Sequence, residues 1–143
     1  MTCKQISVLM ENKPGRASAI ASVLDKNDID IRALSMADTA DYGIMRLIVD
    51  NPDQACDALK AAGFTSSVTE VLAVEMPDTK GALSGILNVL TASGINVEYA
   101  YAFVTRNRDK AFLIIRTESL SEAQKALAKA GMKLLDQDEV YRM

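Results

Sequence analysis

The feature that most constrains the fold of this chain is an internal repeat with a constant spacing along the sequence. Gly15 recurs as Gly81, and the apolar residues that follow Gly15 recur after Gly81 at the same spacing. The recurring pairs are Ile20/Ile86, Val23/Val89, Leu24/Leu90, Ile29/Ile95, Leu47/Leu113 and Ile48/Ile114. This period is longer than the unit of a solenoid protein, and 143 residues suffice for two small domains. The sequence therefore predicts a duplicated small domain.

The end of each copy repeats with a slightly larger spacing. Beyond Pro52 the matching pairs are Ala55/Ala123, Leu59/Leu127, Ala62/Ala130 and Gly63/Gly131. We therefore place a two-residue insertion near Pro52. The predicted repeats span residues 1–70 and 71–143.

The first copy shows a fixed order of periodicities. Alternating apolar residues predict a strand at Gln5–Met10, and helical spacing predicts a helix from Arg16. Two further strands are predicted at residues 29–37 and 43–50, joined by a hairpin at residues 38–43. A second helix follows, since Asn51-Pro52 is typical of a helix start and Gly63 of a helix end.

The second copy repeats this order. A strand is predicted before Pro77 and a helix after Gly81. Two strands follow at 95–104 and 110–117, with Arg106–Asp109 as a solvated hairpin tip. The last helix is predicted to begin at a capping box of Ser121 and Gln124 and to end at Gly131. The order βαββαβ, present twice, is the ferredoxin-like arrangement of an α+β protein, in which antiparallel strands carry the helices on one face.

The junction between the copies is short. Only about a dozen residues separate Gly63 from Pro77, although both copies need a strand there. One long strand shared by the two sheets and two short strands with a bend near Ser67 are both compatible with this spacing.

The sheet face opposite the helices is unusually apolar. Met45, Leu47 and Val49, with counterparts Ala111, Leu113 and Ile115, are predicted to face the helices, whereas Ile48, Phe112 and Ile114 point to the other side. An exposed antiparallel face is normally polar, so we expect the other copy or a second chain to cover it. Our hypothesis is a homodimer in which sheets stack or join edge to edge. Scattered surface apolar residues are the alternative.

A turn between strand and helix is the best candidate for a binding site. It comprises residues Glu11–Arg16 in the first copy and Pro77–Ala82 in the second. Such a turn presents unpaired backbone N–H groups and the positive end of the helix dipole, which favour a carboxylate. A glycine allows close approach of a ligand, although it is equally compatible with a plain loop.

Several segments of the chain resemble those of a known family. The run from Ile6 to Arg16, the helix ending in Val23-Leu24 and the segment Asn27–Ile31 are similar to the opening of an ACT domain. Gly81–Leu83 and Ser93–Val97 repeat the resemblance in the second copy. The resemblance implies a tandem, free-standing regulatory protein that binds an amino acid where paired domains meet.

The resemblance also implies the ligand-binding residues. In this family the ligand usually contacts the loop before the first helix and the start of the second strand. Carried over by position, the binding residues are Asn12, Lys13, Pro14, Gly15, Arg16, Asp30 and Ile31 in the first copy and Asp78, Thr79, Lys80, Gly81, Ala82, Leu83, Asn96 and Val97 in the second.

The two copies differ within this set. Asn12 and Asn96 match asparagines of amino-acid-binding members. The second copy has Asp78 at the position of Asn12 and Lys80 at the position of Pro14. The first copy has Asp30 at the position of Asn96. The two loops are therefore not equivalent, and a single complete site in only one of them is compatible with the sequence.

Other classes of function are less well supported. The chain has no His, which removes the commonest general base and metal ligand, so we expect no enzyme, no cofactor and no metal. Cys56, at a helix start, is the one candidate nucleophile, although burial is the simpler interpretation. We also consider an interaction module without a ligand.

Partners and location are predicted from composition. The net charge is −3 and the sequence shows no basic stripe, so nucleic-acid binding is not expected. Tyr99, Tyr101 and Phe103 could stack on RNA bases. We interpret them instead as core residues on the same strand face as Ile95 and Val97. The absence of a signal sequence and of a long apolar stretch predicts a cytoplasmic protein without membrane contact. The expected partners are an amino acid, a second copy and an unidentified enzyme or regulator.

Overall fold

The computed structural model describes residues 1–38, 41–104 and 109–142, so part of each predicted hairpin lies outside the described residues. The described strands are β1 (Cys3–Glu11), β2 (Ile31–Asp38), β3 (Tyr42–Val49), β4 (Thr65–Pro77), β5 (Val97–Val104) and β6 (Lys110–Thr117). The described helices are α1 (Arg16–Lys26), α2 (Pro52–Ala61), α3 (Ala82–Ala92), α4 (Leu120–Lys129) and α5 (Gln137–Tyr141). No helix in this part of the chain is both long and apolar enough to cross a membrane.

The chain divides into two compact units, and the divisions fall inside β1, after its first residue, and inside β4. The first unit is Lys4–Thr69, and the second combines Met1–Cys3 with Glu70–Met143. Strand β4 runs without interruption for 13 residues through the division. The junction is therefore one long strand without a break at Ser67. The sequence-based limits 1–70 and 71–143 stay a prediction for the extent of the repeats.

The first unit is a sheet covered by two helices. Strand β3 pairs antiparallel with β1 and with β2, and the first part of β4 lies beside β1. The side chains between sheet and helices form one core, in which Ile20 and Leu24 of α1 and Leu59 of α2 are fully buried. The core contains Met45, Leu47 and Val49, as the alternation along β3 predicted.

The second unit repeats this architecture with a shorter last strand. Strand β6 pairs antiparallel with β4 and with β5, and α3 and α4 cover the face that carries Leu113 and Ile115. The last strand is reduced to a single bridge between Val74 and Leu134. Asp136 then ends the extended segment because it caps α5 through a capping box, and the sequence analysis did not predict this short helix.

The position of the insertion between the repeats differs from our prediction. Strand β2 corresponds to β5 with the spacing that separates Gly15 from Gly81. Strand β3 corresponds to β6 with the larger spacing of the later pairs, because Ile6 pairs with Leu47 and Leu72 pairs with Ile115. The two extra residues therefore lie in the hairpin before β6. The counterpart of Leu47 is Ile115, and the proposed match of Leu47 with Leu113 is wrong. A shift of two residues keeps each side chain on the same face, so the predicted faces were still correct.

A bulge near the start of the second strand occurs in both repeats. The register shifts between Ile31 and Ala33 in β2 and between Val97 and Tyr99 in β5. Val97 consequently packs into the core under the helices, whereas Phe103 lies on the opposite face and stacks on Phe112 with ring centroids 5.3 Å apart. The prediction that Ile95, Val97, Tyr99, Tyr101 and Phe103 share one face is therefore wrong, because a bulge inserts a residue that the alternation cannot reveal.

The helix caps follow the larger of the two repeat spacings. The Asn51 side chain accepts a hydrogen bond from the Gln54 N–H at the start of α2, with Pro52 in the first turn, as predicted. The equivalent helix α4 is capped by Ser119, whose side chain accepts from the Glu122 N–H. The predicted capping box of Ser121 and Gln124 is therefore wrong, and α4 begins earlier in the chain.

The apolar residues on the sheet face opposite the helices are buried. Ile48, Phe112 and Ile114 are at most 2% exposed in the single chain. Their burial therefore supplies no argument for a second chain, and the homodimer stays a prediction that needs another basis.

Candidate functional site

The first candidate turn connects β1 to α1 with its own hydrogen bonds. The Asn12 N–H donates to the Asp41 carbonyl at 3.0 Å, and the Lys13 N–H donates to the Glu11 carbonyl at 2.9 Å. The Arg16 N–H makes a longer bond to the Lys13 carbonyl at 3.4 Å. These bonds hold a tight turn whose residues Asn12–Arg16 are all exposed.

Gly15 leaves the start of α1 without a side-chain cap. Its φ of 86° and ψ of −8° place it in the left-handed region that other residues avoid, and it occupies the capping position. A glycine has no side-chain oxygen, so it cannot bond to the first-turn N–H groups as Asn51 and Ser119 do in α2 and α4. Within the described chain, the N–H groups of Ala17 and Ser18 have no backbone acceptor. These donors are therefore available to a ligand.

The second turn has the same backbone as the first. Gly81 has a φ of 87° and a ψ of −10°, and it also leaves its helix without a side-chain cap. The matching hydrogen bonds run from Asp78 to Asp109 (3.3 Å), from Thr79 to Pro77 (2.9 Å) and from Ala82 to Thr79 (3.3 Å). The two turns thus differ in side chains and not in conformation.

The charges around the two turns are different. Glu11 forms ion pairs with Lys13 at 2.9 Å and with Arg16 at 3.7 Å. The hydrogen bond from Lys13 and the charges of Lys13 and Arg16 hold the pKa of Glu11 below its ordinary value, so the carboxylate is ionised at neutral pH. In the second turn, Pro77 and Ala82 stand at the positions of Glu11 and Arg16. The first turn therefore offers both charge signs to a zwitterion.

An open cavity of about 190 Å³ lies beside the first turn. Glu11 and Arg16 line it together with Leu9, Met10, Tyr42 and residues 62–65. Of these, only Arg16 was predicted. Glu11 directly precedes the predicted residues, but residues 62–65 are distant in sequence and reach the cavity because the start of β4 lies beside β1.

The start of the second strand lies far from the turn of the same unit. The Asp30 N–H donates to the Asp50 side chain at 2.9 Å, and Ile31 pairs with Val49 at one end of β3, whereas Glu11 pairs with Tyr42 at the other end. The length of extended strand between these two ends amounts to roughly 23 Å. One unit by itself therefore does not bring Asp30 and Ile31 to the turn with Asn12, Lys13 and Pro14.

The second unit shows the same separation. Asn96 lines a cavity of about 250 Å³ with Gly94, Ile95, Glu118, Ser119 and Glu122, none of which belongs to the second turn. Val97 packs into the core under the helices. Lys80 and Leu83 are exposed at the second turn, with Leu83 46% exposed.

Both cysteines are buried. The Cys56 sulfur lies 3.3 Å from the Ser66 hydroxyl oxygen, and Cys56 is 4% exposed, so the candidate nucleophile faces the protein interior. The Cys3 thiol is within 3.6 Å of the Leu135 carbonyl oxygen, and burial, together with the negative charge of Asp136, raises its pKa to about 12.

We expect neither thiol to react in the folded protein. At pH 8 the Cys3 thiol is protonated, and a thiol must ionise and be reached by a reagent to react. Titration with an aromatic disulfide reagent should find no reactive thiol in native protein and two after denaturation in guanidinium chloride. Fast reaction of one thiol in native protein would contradict the burial of that cysteine.

A second cluster of charges joins β4, β6 and the C-terminal segment. The Glu75 carboxylate, 16% exposed, bonds to Lys110 at 2.7 Å and to Lys133 at 3.4 Å. Lys133 also lies 3.7 Å from Glu139 of α5. The hydrogen bond from Lys110 holds the pKa of Glu75 below its ordinary value, against the opposing effect of burial. This cluster therefore stabilises the attachment of the C-terminal segment.

The Glu75 cluster predicts a dependence of stability on pH. Because the pKa of Glu75 is lower in the folded chain, its contribution is present above the unfolded-state pKa of about 4.3 and is lost as the pH falls through the folded value. Glu75→Gln should be less stable than the wild type at pH 7, and the difference should shrink below about pH 4. Urea denaturation at several pH values measures this difference. The matched control, Glu118→Gln, removes an exposed carboxylate and should show a smaller change at pH 7. A difference for Glu75→Gln that is constant with pH would contradict the prediction.

The described residues contain no group of three or more Cys, Asp or Glu side chains placed to hold a metal ion. The arrangement at the first turn can instead bind a small zwitterion, since helix N–H groups and Arg16 suit a carboxylate and the Glu11 carboxylate suits an ammonium group. The structure thus defines the chain as a tandem of two ferredoxin-like domains with a ligand-compatible turn after the first strand of each.

Comparison with known families agrees with this class. The model of the ACT domain pair matches residues 1–143. The chain therefore belongs to the ACT domain pair family, and ACT domains are regulatory domains. Comparison with curated proteins finds no match.

Solved structures have the same fold. Protein BT0572 from Bacteroides thetaiotaomicron is 36% identical over 100% of this chain and 98% of its own, with a TM-score of 0.93. The ligand-free regulatory subunit of aspartate kinase from Thermus thermophilus shares the fold at 18% identity, with 89% and 91% coverage and a TM-score of 0.63. The regulatory subunit of aspartate kinase from Thermus flavus is similar at 16% identity, 90% and 92% coverage and a TM-score of 0.62.

Proposed function

We propose that this chain is a regulatory protein that senses a free amino acid through the turn Asn12–Arg16. The observation that carries the proposal is the uncapped start of α1 at Gly15, which lies beside a cavity lined by Glu11 and Arg16. The ligand carboxylate would accept from the N–H groups of Ala17 and Ser18 and from the guanidinium of Arg16. The ligand ammonium would bond to Glu11 and to the Asn12 amide oxygen.

The first turn is the better candidate of the two. Its side chains from Glu11 to Arg16 include two cations and one anion, whereas residues 77–82 include one of each, Asp78 and Lys80. A net positive charge strengthens the binding of a carboxylate. In this proposal the start of a second strand, either Asp30 and Ile31 or Asn96 and Val97, comes from a second copy of the chain.

The regulatory output would follow from a shift in population. A ligand held between two modules stabilises the arrangement that it binds, in proportion to the difference between its affinities for the available arrangements. An enzyme or regulator would then recognise this arrangement. A homodimer, a cytoplasmic location and the lack of nucleic-acid and membrane partners remain predictions within this proposal.

A thermal-shift screen against the twenty amino acids tests the function. A ligand at a hundred times its Kd should stabilise the folded chain by roughly 2.7 kcal/mol. One amino acid, or one chemical class, should raise the melting temperature. No shift with any of the twenty would contradict amino-acid sensing and would favour an interaction module without a ligand.

Two matched variants test the site. Arg16→Ala should weaken binding of the identified amino acid at least tenfold in calorimetry, because it removes the cation beside the free N–H groups. Lys80→Ala, which removes the cation of the second turn, should leave the affinity unchanged. The opposite pattern would move the site to the second turn while retaining the function.

A further inference from the structure

The cavity beside the first turn has an apolar wall. Leu9 and Tyr42 line it and are 44% and 50% exposed, so the rest of the chain leaves a large part of each side chain uncovered. Phe64 lines the same cavity and packs against the core of the first unit. Binding cavities for small molecules are mostly apolar, with a few polar groups that fix the orientation of the ligand. The first cavity has both features, because Glu11 and Arg16 line it as well.

The second unit has a cavity at the equivalent place, with a volume of about 240 Å³. In the first unit Glu11 pairs with Tyr42, and both residues line the first cavity. In the second unit Pro77 pairs with Lys110, and both residues line the second cavity. The two cavities therefore occupy the same position in the two repeats, and their side chains can be compared one by one.

The two cavities differ in the polarity of their lining. The second cavity has charged residues where the first has neutral ones, and the pairs are Leu9/Glu75, Tyr42/Lys110 and Thr65/Lys133. The Glu75 carboxylate bonds to both lysines, at 2.7 Å and 3.4 Å. An apolar group placed against these ionised side chains would remove water from them without supplying a partner, which is unfavourable. The second cavity therefore disfavours the kind of group that the first can accept.

We propose that the amino acid sensed at the first turn has a large apolar side chain, as in leucine, methionine or phenylalanine, and that Leu9 and Tyr42 select it. This specificity rests on the proposed function, in which Glu11 and Arg16 bind the ammonium and carboxylate groups of the ligand. Since these two residues line the same cavity as the apolar wall, the side chain of the bound ligand lies against Leu9, Tyr42 and Phe64. Covering exposed apolar surface favours binding in proportion to the area removed from water.

The size of the first cavity is consistent with such a side chain. Its volume is about 190 Å³, and a cavity of about 150 Å³ accommodates a benzene-sized molecule. An isobutyl, thioether or benzyl group therefore fits. A methyl group would leave most of the apolar wall in contact with water, so alanine gains little from the cavity.

Calorimetry on the wild-type chain tests the class of ligand. Leucine, methionine or phenylalanine should bind at least tenfold more tightly than alanine, because even one methylene group in an apolar pocket changes affinity by about 10–200-fold. Aspartate and lysine should bind at least tenfold more weakly than the preferred apolar amino acid. Preferred binding of a charged or small polar amino acid would overturn the specificity and leave amino-acid sensing intact. If none of the twenty amino acids binds, both proposals are wrong.

Two variants that carry the residues of the second cavity test the selecting side chains. Leu9→Glu and Tyr42→Lys should each weaken the binding of the preferred apolar amino acid at least tenfold and that of alanine less, so the ratio of the two affinities falls. Arg16→Ala should weaken both ligands by the same factor, because it acts on the carboxylate that they share. The control Val68→Glu adds a charge at a residue of β4 that is 38% exposed and outside the cavity lining, and should change neither affinity. An unchanged ratio in both Leu9→Glu and Tyr42→Lys would overturn the selection by these side chains.

Discussion

Replacing Leu90 by alanine is expected to lower the free energy of unfolding by about 3 kcal/mol. Leu90 is fully buried on α3 and belongs to the core between the helices and the sheet of the second unit. Its truncation removes the transfer free energy of the lost carbons and leaves a cavity, because a close-packed core relaxes only partly. No other substitution predicted for this chain is expected to cost as much stability.

Leu83 provides the control for Leu90 on the same helix. Leu83 is 46% exposed, so Leu83→Ala makes the same chemical change outside the core and should cost less than about 0.5 kcal/mol. Urea denaturation followed by far-ultraviolet circular dichroism measures both values. Equal costs for the two variants would contradict the placement of Leu90 in the core.

Two separate substitutions, Thr117→Val and Val49→Thr, should change the free energy of unfolding in opposite directions. These residues occupy equivalent positions, each opposite the first residue of the second strand, and both are fully buried. Among the described residues, the Thr117 hydroxyl has no hydrogen-bond partner. Since an unpaired buried hydroxyl costs about 1–3 kcal/mol, Thr117→Val should raise the free energy of unfolding by about 1 kcal/mol. Val49→Thr should lower it by about 2 kcal/mol.

The same denaturation measurement checks the two substitutions, and each variant is the control for the other. Both replace one branched side chain by another of similar shape, so changes in strand propensity are small in either direction. A Thr117→Val variant that is less stable than the wild type would show that the hydroxyl is hydrogen-bonded in solution.

Most of the fold could be predicted from the sequence because the patterns that indicate helices and strands are local. A strand buries every second side chain and a helix buries side chains three or four residues apart, so burial leaves a periodic pattern in the sequence. The alternation along Met45–Val49 and the helical spacing from Arg16 are such patterns. Duplication strengthened these signals, since each element is supported by its copy. The signals did not reveal the bulges at Ile31 and Val97, because an inserted residue changes the face of everything that follows without changing the composition.

The candidate site was only partly predictable for the same reason. The residues from Asn12 to Arg16 are contiguous, so a turn motif identified them together. Phe64 and Tyr42 reach the cavity beside the turn through strand pairing, which joins residues distant in sequence. The start of the second strand was grouped with the turn by family resemblance, but the antiparallel register places these segments at opposite ends of one unit.

The sequence by itself determined the duplication, the order of helices and strands up to α4, and the turns that lead into α1 and α3, because turn chemistry and hydrophobic periodicity act over a few residues. Tertiary structure decided the register of β6, the single long strand β4, the burial of Cys3 and Cys56, and the exposure of Leu34 and Met36. Each of these depends on which distant segments pair and on how far a helix extends over its sheet. Such contacts follow from the packing of the whole unit, and no local pattern encodes them.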